Sequence, residues 1–143
     1  MGGEFQAAFW AAKRAMATAS EEAYRRHGVR AGQQFLLYEL WAEDGLTPGE
    51  LARRLGLAVP TVTRTATRME SAGILRREPH PTDARLVRLR LTERGHELQE
   101  LMTAEVVRLS EKALSTLDQA DRERFIGYLN EVRKNLTTPD GMT

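Results

Sequence analysis

The stretch LTPGELARRLGLAVPTVTRTATRMESAG, residues 46–73, decides the fold of this chain. Its first part contains an unusually complete helix-start signal. Thr47 can cap a helix, Pro48 takes the first helical position, and Glu50 follows three residues after the cap. The sequence therefore predicts a helix over residues 48–55.

The second part of this stretch predicts another short helix. Gly56 ends the first helix, residues 57–59 form a turn, and Pro60 opens a helix that reaches Ala72 and stops at Gly73. Two short helices joined by a glycine-containing turn of this length indicate a helix-turn-helix.

The second of these helices has two chemically different faces. One face is apolar and carries Val62, Ala66 and Met69. The other face carries Arg64, Thr67, Arg68 and Ser71, with Thr61 and Thr63 at its flanks. It contains no acid until Glu70, whereas a solvated helix usually mixes both signs. This one-signed surface favours a polyanionic partner over the plain alternative of an ordinary polar face.

Positive charge is concentrated in the middle third of the chain. The whole sequence has 21 basic and 20 acidic residues and a net charge of +1. Residues 47–95, however, contain 10 basic and 5 acidic residues. A basic segment inside a nearly neutral chain also favours a polyanionic partner.

A two-stranded ribbon is predicted directly after the helix-turn-helix. Residues 74–78 and 86–91 have the pattern of strands, and the polar loop 79–85 between them is too long for a tight hairpin. A ribbon in this place is a wing. Its tip offers Arg85, whose guanidinium can enter a DNA minor groove while Asp83 holds it in one orientation. The plain alternative is a surface ion pair.

Long amphipathic helices flank the winged segment. Apolar residues recur at helical spacing over 5–27 and 93–115, and a shorter, widely apolar helix is predicted over 35–41. A last helix, capped by Asp118, has a predicted core stripe of Phe125, Leu129, Val132 and Leu136. The three long helices cannot all bury their stripes against a small lobe, so a dimer interface is expected. The expected fold class is mainly α with a small β-wing (α+β), a winged helix-turn-helix lobe plus long N- and C-terminal dimerisation helices.

Several function classes are disfavoured by the sequence. The 143 residues suit one domain, and the absence of cysteine excludes disulfides and thiol chemistry. No catalytic motif is present, no cofactor is expected, and the three histidines lack metal-ligand spacing, although carboxylates such as Glu22 or Glu97 could complete a metal site in the fold. With no long apolar run and no signal peptide, the chain is expected to be soluble and cytoplasmic, without a membrane partner.

The ordered set of motifs resembles the MarR family of bacterial transcriptional regulators. It consists of Leu51-Ala52-Arg53-Arg54-Leu55-Gly56-Leu57, Pro60-Thr61-Val62-Thr63-Arg64, Met69-Glu70-Ser71-Ala72-Gly73-Ile74-Leu75, Asp83-Ala84-Arg85 and Leu89-Arg90-Leu91-Thr92-Glu93-Arg94-Gly95. These motifs cover residues 46–95 without an insertion, and the helix order extends the resemblance to nearly the whole chain. One departure is Ala58, where family members often have a serine that caps the recognition helix.

The resemblance implies a homodimer that binds double-stranded DNA, with the recognition helix in the major groove and the wing in the minor groove. Carried over by position, the implied DNA-binding residues are Thr61, Thr63, Arg64, Arg68, Arg77, Asp83, Arg85 and Arg88. Arg77 and Arg88 are the implied phosphate contacts. The implied organisation is a single domain over 1–137, with a DNA-binding lobe at 31–95, helical dimerisation regions at 1–30 and 96–137, and a flexible tail at 138–143.

The resemblance also implies a small aromatic or phenolic effector. Its pocket walls would include Tyr24, Tyr38 and Trp41, unless these aromatic residues belong to the core. The predicted function is that of a ligand-responsive, homodimeric repressor that binds a pseudo-palindromic operator. The alternative is a winged-helix module for non-specific architectural DNA binding or for protein contacts, which would show a shallow sequence preference.

Overall fold

The computed structural model describes residues 2–141, which form six α-helices and one two-stranded antiparallel sheet. The elements are α1 (Gly2–Arg25), α2 (Gln33–Ala42), α3 (Pro48–Leu55), α4 (Val59–Ser71), β1 (Leu75–Pro79), β2 (Val87–Leu91), α5 (Glu93–Ala113) and α6 (Gln119–Thr137). The predicted fold class, mainly α with a small β-wing, is confirmed. Met1, Met142 and Thr143 lie outside the described residues, and with them the outermost parts of the predicted domain and tail.

The chain divides into two compact units, one ending at Val106 and the other beginning at Val107. The first unit contains the helix-turn-helix, the sheet and the first part of α5. Its core is built from buried leucines of α2 and α3, the apolar face of α4 and the inward side of the sheet. Helix α4 contacts α2, α3 and β1, so the predicted recognition helix is fixed on three sides.

The predicted boundaries differ from the observed ones at the sheet and, by one to three residues, at the ends of α1, α2, α4 and α5. Both strands begin one residue later than predicted, in a register that pairs Leu75 with Leu91 and Pro79 with Val87. Ile74 is excluded from β1 because its backbone N–H donates to the Met69 carbonyl at 3.0 Å and so closes the end of α4. The connection between the strands consequently covers residues 80–86.

The junction between the sheet and α5 is tightly packed. The single proton of the Thr92 hydroxyl is shared between the carbonyls of Gly73 (2.6 Å) and Ile74 (2.9 Å), and the hydroxyl oxygen accepts the Gly95 N–H at 3.2 Å. The indole N–H of Trp41 donates to the Gly95 carbonyl at 2.9 Å. A Cβ at Gly95 would overlap the Ile74 carbonyl oxygen and lie 2.9 Å from Leu91 Cδ2. Only a glycine allows this approach.

Helix α1 is anchored only near its C-terminal end. Residues 2–18 are all exposed, including Phe5, Phe9 and Met16 of the predicted apolar stripe. The end of α1 is held by Glu105, which pairs with Arg26 at 3.3 Å and with His27 at 3.1 Å.

The second unit contains the end of α5 and α6. The carboxylate of Asp118 caps α6 by accepting the Asp121 N–H at 2.8 Å, as predicted. The predicted core stripe of α6 is wrong for the single chain, because no residue of this helix is buried. Leu129 is 39% exposed and Leu136 is 80% exposed, since no element of this unit covers that face.

Candidate nucleic-acid interface

The two helices of the helix-turn-helix are set by local signals in the sequence. The Thr47 hydroxyl accepts the Glu50 N–H at 3.1 Å, and the Glu50 carboxylate accepts the Thr47 N–H. These two hydrogen bonds form a capping box. Gly56 ends α3 in the left-handed conformation, with φ of 66°. At the start of α4, Ala58 makes no side-chain cap, and only its carbonyl receives the N–H groups of Thr61 and Val62.

Helix α4 buries one face and exposes the other as predicted. Val62, Ala66 and Met69 are completely buried. On the opposite side, Arg64 and Arg68 are exposed, and neither has a carboxylate partner within residues 2–141. Unpaired cations on a rigid helix can approach phosphates or base edges without breaking an internal ion pair.

The four threonines on this helix differ in how their hydroxyls are used. Thr65 donates to the Thr61 carbonyl at 3.0 Å, and Thr67 donates to the Thr63 carbonyl at 2.9 Å. The hydroxyls of Thr61 and Thr63 have no partner among the described residues. Thr61 and Thr63, both predicted site residues, therefore offer free hydroxyls at the N-terminal half of α4.

Arg77 links the wing to α4. Its guanidinium donates to the Thr67 hydroxyl at 2.5 Å and lies 3.9 Å from the Glu70 carboxylate. The backbone N–H of Arg77 donates to the other Glu70 oxygen at 3.3 Å. Arg77 thus lies beside the recognition helix, next to the exposed face that carries Arg64 and Arg68.

The tip of the wing fixes Arg85 with its charge pointing outward. Asp83 accepts three hydrogen bonds from Arg85, from its backbone N–H (3.0 Å), Nε (3.1 Å) and Nη2 (3.1 Å). The Arg85 side chain is nevertheless 88% exposed. These bonds hold the pKa of the Asp83 carboxyl below its usual range and raise that of Arg85. The His80 ring accepts the N–H groups of Thr82 and Asp83, which orders the loop.

Arg88 lies away from the other predicted contacts. In the register of the sheet, Arg88 pairs with Glu78 and Arg77 pairs with Leu89, so Arg88 and Arg77 project from opposite faces. The Glu78 carboxylate pairs with three arginines, Arg76 (2.9 Å), Arg88 (3.1 Å) and Arg90 (3.3 Å). The pKa of Glu78 is lowered, first of all by the hydrogen bond from Arg76. The structure therefore groups Thr61, Thr63, Arg64, Arg68 and Arg77 around α4, places Asp83 and Arg85 at the wing tip, and separates Arg88 from both.

Sequence reasoning missed the acids that organise these arginines. From the sequence, Glu70 is only the first acid on α4, and Glu78 is only a residue of the first predicted strand. The signal for Glu78 was its alternation with Arg76 along β1, which places both on one face. For Glu70 no local signal existed, because its partner depends on how the sheet docks on α4.

The three aromatic residues predicted to form a ligand pocket do lie close together. The hydroxyls of Tyr24 and Tyr38 are 3.2 Å apart, and the rings of Tyr38 and Trp41 are 5.8 Å apart. Tyr24 is buried and Tyr38 is 41% exposed. Burial, together with the bond from Tyr24, raises the pKa of Tyr38, so its phenol stays neutral. An open cleft on α5, lined by His96, Gln99, Glu100, Thr103 and Ala104, does not include these aromatic residues.

Two other features bear on alternative functions. Among residues 2–141, no three His, Asp or Glu side chains gather closely enough to hold a metal ion. Within the same part of the chain, no helix has the length and apolar character needed to cross a membrane.

Comparisons of sequence identify relatives that regulate transcription. The sequence model of the MarR family matches residues 30–87. The regulator TtmR of Methylorubrum extorquens is 30% identical over 136 residues, which cover 95% of this chain and 69% of that protein. The uncharacterised regulator YdgJ of Bacillus subtilis is 28% identical over 109 residues, 76% of this chain and 66% of that protein. The chain thus spans about two thirds of the length of these relatives.

Solved structures share the fold. MarR of Staphylococcus aureus, in complex with salicylate and kanamycin, has a TM-score of 0.76 at 23% identity, covering 94% of this chain and 88% of that one. A MepR mutant of S. aureus bound to an oligodeoxyribonucleotide has a TM-score of 0.70 at 22% identity, covering 93% and 98%. The family and the relatives are transcriptional regulators rather than enzymes. The chain belongs to the MarR family of winged helix-turn-helix transcriptional regulators.

Proposed function

We propose that this chain is a ligand-responsive homodimeric repressor that binds a pseudo-palindromic operator in double-stranded DNA. The observation that carries the proposal is the exposed face of α4, where Arg64 and Arg68 lie unpaired beside the free hydroxyls of Thr61 and Thr63. Arg85, held outward at the wing tip, supplies a second contact suited to the adjacent minor groove.

The DNA contacts of this proposal fall into three groups. Thr61, Thr63, Arg64 and Arg68 act in the major groove or at its flanking phosphates. Arg85 acts in the minor groove, oriented by Asp83. Arg77 and Arg88 act as phosphate contacts, Arg77 beside the recognition helix and Arg88 from the other face of the wing.

The homodimer is supported by the exposed apolar faces of the long helices. Phe5, Phe9 and Met16 of α1 are exposed, as are Phe125 and Leu129 of α6. A soluble protein rarely leaves such stripes open to water, and a second copy of the chain covers both without any other partner. In this proposal residues 31–95 form the DNA-binding lobe of a single domain, and residues 1–30 and 96–137 form the dimerisation regions. The two recognition helices then lie about one DNA turn apart, roughly 34–36 Å.

The effector is proposed to be a small aromatic or phenolic molecule that contacts Tyr24, Tyr38 and Trp41. Two supports are the proximity of these three side chains and the complex of S. aureus MarR with salicylate. The effector lowers operator affinity by binding better to a conformation that does not fit the DNA. A repressor acts on the chromosome, so the proposed location is the cytoplasm.

The test is a selection from random-sequence duplexes followed by titration of the selected duplex. We expect one preferred, pseudo-palindromic site, bound about 10³-fold or more tightly than scrambled DNA. The variant Arg64→Ala should lose about 1–3 kcal/mol of binding free energy and relax the preference at one base pair.

The matched control is Arg30→Ala, which removes the same charge from an exposed arginine whose side chain has no hydrogen bond or ion pair among the described residues. If the selection yields no preferred sequence while the duplexes still bind, the repressor proposal is overturned in favour of the architectural alternative. If no duplex binds, DNA binding itself is contradicted and protein contacts remain.

A further inference from the structure

We propose that Thr67 is a specificity-determining residue that reads a thymine through its γ-methyl group and not through its hydroxyl. The inference rests on the proposed function and adds a residue to the predicted DNA contacts. Thr67 is exposed on α4, on the side opposite the buried Val62, Ala66 and Met69 and next to Arg64 and Arg68. Thr67 therefore faces the same DNA groove as these arginines.

The hydroxyl of Thr67 has its proton and one of its two lone pairs engaged within the protein. It donates its proton to the Thr63 carbonyl at 2.9 Å, and it accepts a hydrogen bond from the Arg77 guanidinium at 2.5 Å. A hydroxyl has one proton to donate, and here that proton is used. Reading a base acceptor with this group would require breaking the bond to the Thr63 carbonyl.

Glu70 also holds Arg77, which supports the position of its guanidinium beside Thr67. Glu70 accepts the backbone N–H of Arg77 at 3.3 Å and lies 3.9 Å from its guanidinium. These two contacts tie the first strand of the wing to the last turn of α4. The guanidinium is therefore positioned over Thr67 before DNA arrives.

The γ-methyl of Thr67 takes no part in these hydrogen bonds, so an apolar contact with DNA leaves both of them in place. In the major groove, each thymine presents a C5-methyl group, and threonine methyls pack against it. Thr67 is thus suited to favour thymine over cytosine, which has no such methyl group. Thr61 and Thr63, with free hydroxyls, are suited to hydrogen bonds instead.

The test combines one protein change with one DNA change. Thr67→Ser keeps the hydroxyl and its two partners and removes only the methyl group. Replacing one thymine by deoxyuridine in the selected duplex removes only the C5-methyl. A buried methyl changes binding by about three- to five-fold. In each half-site we expect one thymine at which deoxyuridine weakens binding of the wild-type protein by this factor. At the same position, deoxyuridine should leave the binding of Thr67→Ser unchanged.

Two further variants distinguish the effect of the Thr67 methyl group from the effect of its hydroxyl and from the effect of losing a methyl elsewhere on α4. Thr67→Val keeps a methyl and loses the hydroxyl, so it should keep the sensitivity to deoxyuridine at that position. Thr65→Ser is the matched control, because Thr65 makes the same bond to the carbonyl four residues earlier but lies half-buried at the flank of α4. Thr65→Ser should also bind more weakly when that thymine is replaced by deoxyuridine. Thermal unfolding followed by circular dichroism checks that all variants are folded.

The inference is overturned if Thr67→Ser stays as sensitive to deoxyuridine as the wild type at every thymine of the duplex. It is also overturned if the sensitivity disappears equally in Thr65→Ser. Failure of the proposed function gives a different result, since the wild-type protein then selects no preferred duplex at all.

Discussion

At the scale of single residues, Gly95 shows how one missing side chain fixes the start of α5. Substitution with alanine would force a Cβ against the Ile74 carbonyl and the Leu91 side chain. We expect Gly95→Ala to lower the free energy of unfolding by about 1–3 kcal/mol, the usual cost of overpacking, measured by denaturant titration.

The control for this prediction is Gly49→Ala. A Cβ at Gly49 meets its nearest atoms at 3.9 Å, and alanine is the better helix former, so stability should stay equal or rise by up to about 1 kcal/mol. Equal stability of Gly95→Ala and the wild type would show that the junction can relax.

Asp83 leads to a second prediction at the residue scale. Its pKa is depressed by the bonds from Arg85, so the pair persists at neutral pH and is lost only when the pH falls through that depressed value. Between pH 5 and 8, well above the usual carboxyl pKa of about 4, Asp83 therefore contributes no pH dependence to operator binding.

We expect Asp83→Asn to weaken operator binding by the same factor across this pH range, because the neutral amide holds Arg85 less firmly. The measurement is a binding titration at several pH values, with the wild type alongside. A loss of operator affinity that changes between pH 5 and 8 would contradict an Asp83 carboxyl that stays ionised over this range.

At the scale of elements, α4 begins without a side-chain cap. Ala58 has the extended conformation of a cap residue, with φ of −72° and ψ of 143°, but has no side-chain oxygen to accept an N–H of the first turn. We expect Ala58→Ser to raise the free energy of unfolding by about 1 kcal/mol, the usual value of such a cap. Thr47→Ala, which removes an existing cap, should lower it by a similar amount. No change in Ala58→Ser would mean that packing alone fixes the start of α4.

The helices and strands also show which features of the fold could be predicted from the sequence. The bounds of α3 were predicted correctly because its start signal, Thr47, and its stop signal, Gly56, lie within a segment of ten residues. The faces of α4 followed from its spacing. The contacts among Glu70, Arg77 and Thr67 could not be predicted, since they depend on the docking of a strand against a helix. The start of β1 was missed because Ile74 serves the end of α4 instead.

At the scale of the whole molecule, the exposed apolar stripe of α6 predicts self-association. We expect Leu129→Asp to convert a dimer to a monomer at micromolar concentration and to weaken operator binding strongly, because a charge cannot be buried in an apolar interface. Analytical ultracentrifugation measures the change. The control, Lys134→Asp, introduces the same side chain on the opposite side of α6. A Leu129→Asp protein that stays dimeric would place the interface elsewhere.

The pairing of arginines described for the wing also has a thermodynamic consequence. Of the 10 arginines in residues 47–95, Arg53, Arg64 and Arg68 have no carboxylate partner within residues 2–141. An unpaired cation releases condensed counterions from DNA, with a slope of about −0.9 per phosphate on a logarithmic salt plot. A cation that is already paired with a carboxylate exchanges that carboxylate for a DNA phosphate, so its binding adds little to the salt dependence.

Of the three unpaired arginines, Arg64 and Arg68 belong to the proposed DNA contacts, so we expect a slope of about −2 for each lobe, and not the roughly −9 that all ten cations would give. Titrations of the operator over a range of KCl concentrations measure this slope, and a value near −9 per lobe would show that the ion pairs open on DNA. With the shallow slope, discrimination between operators should survive changes in cellular ionic strength that would release a protein bound mainly by its charge.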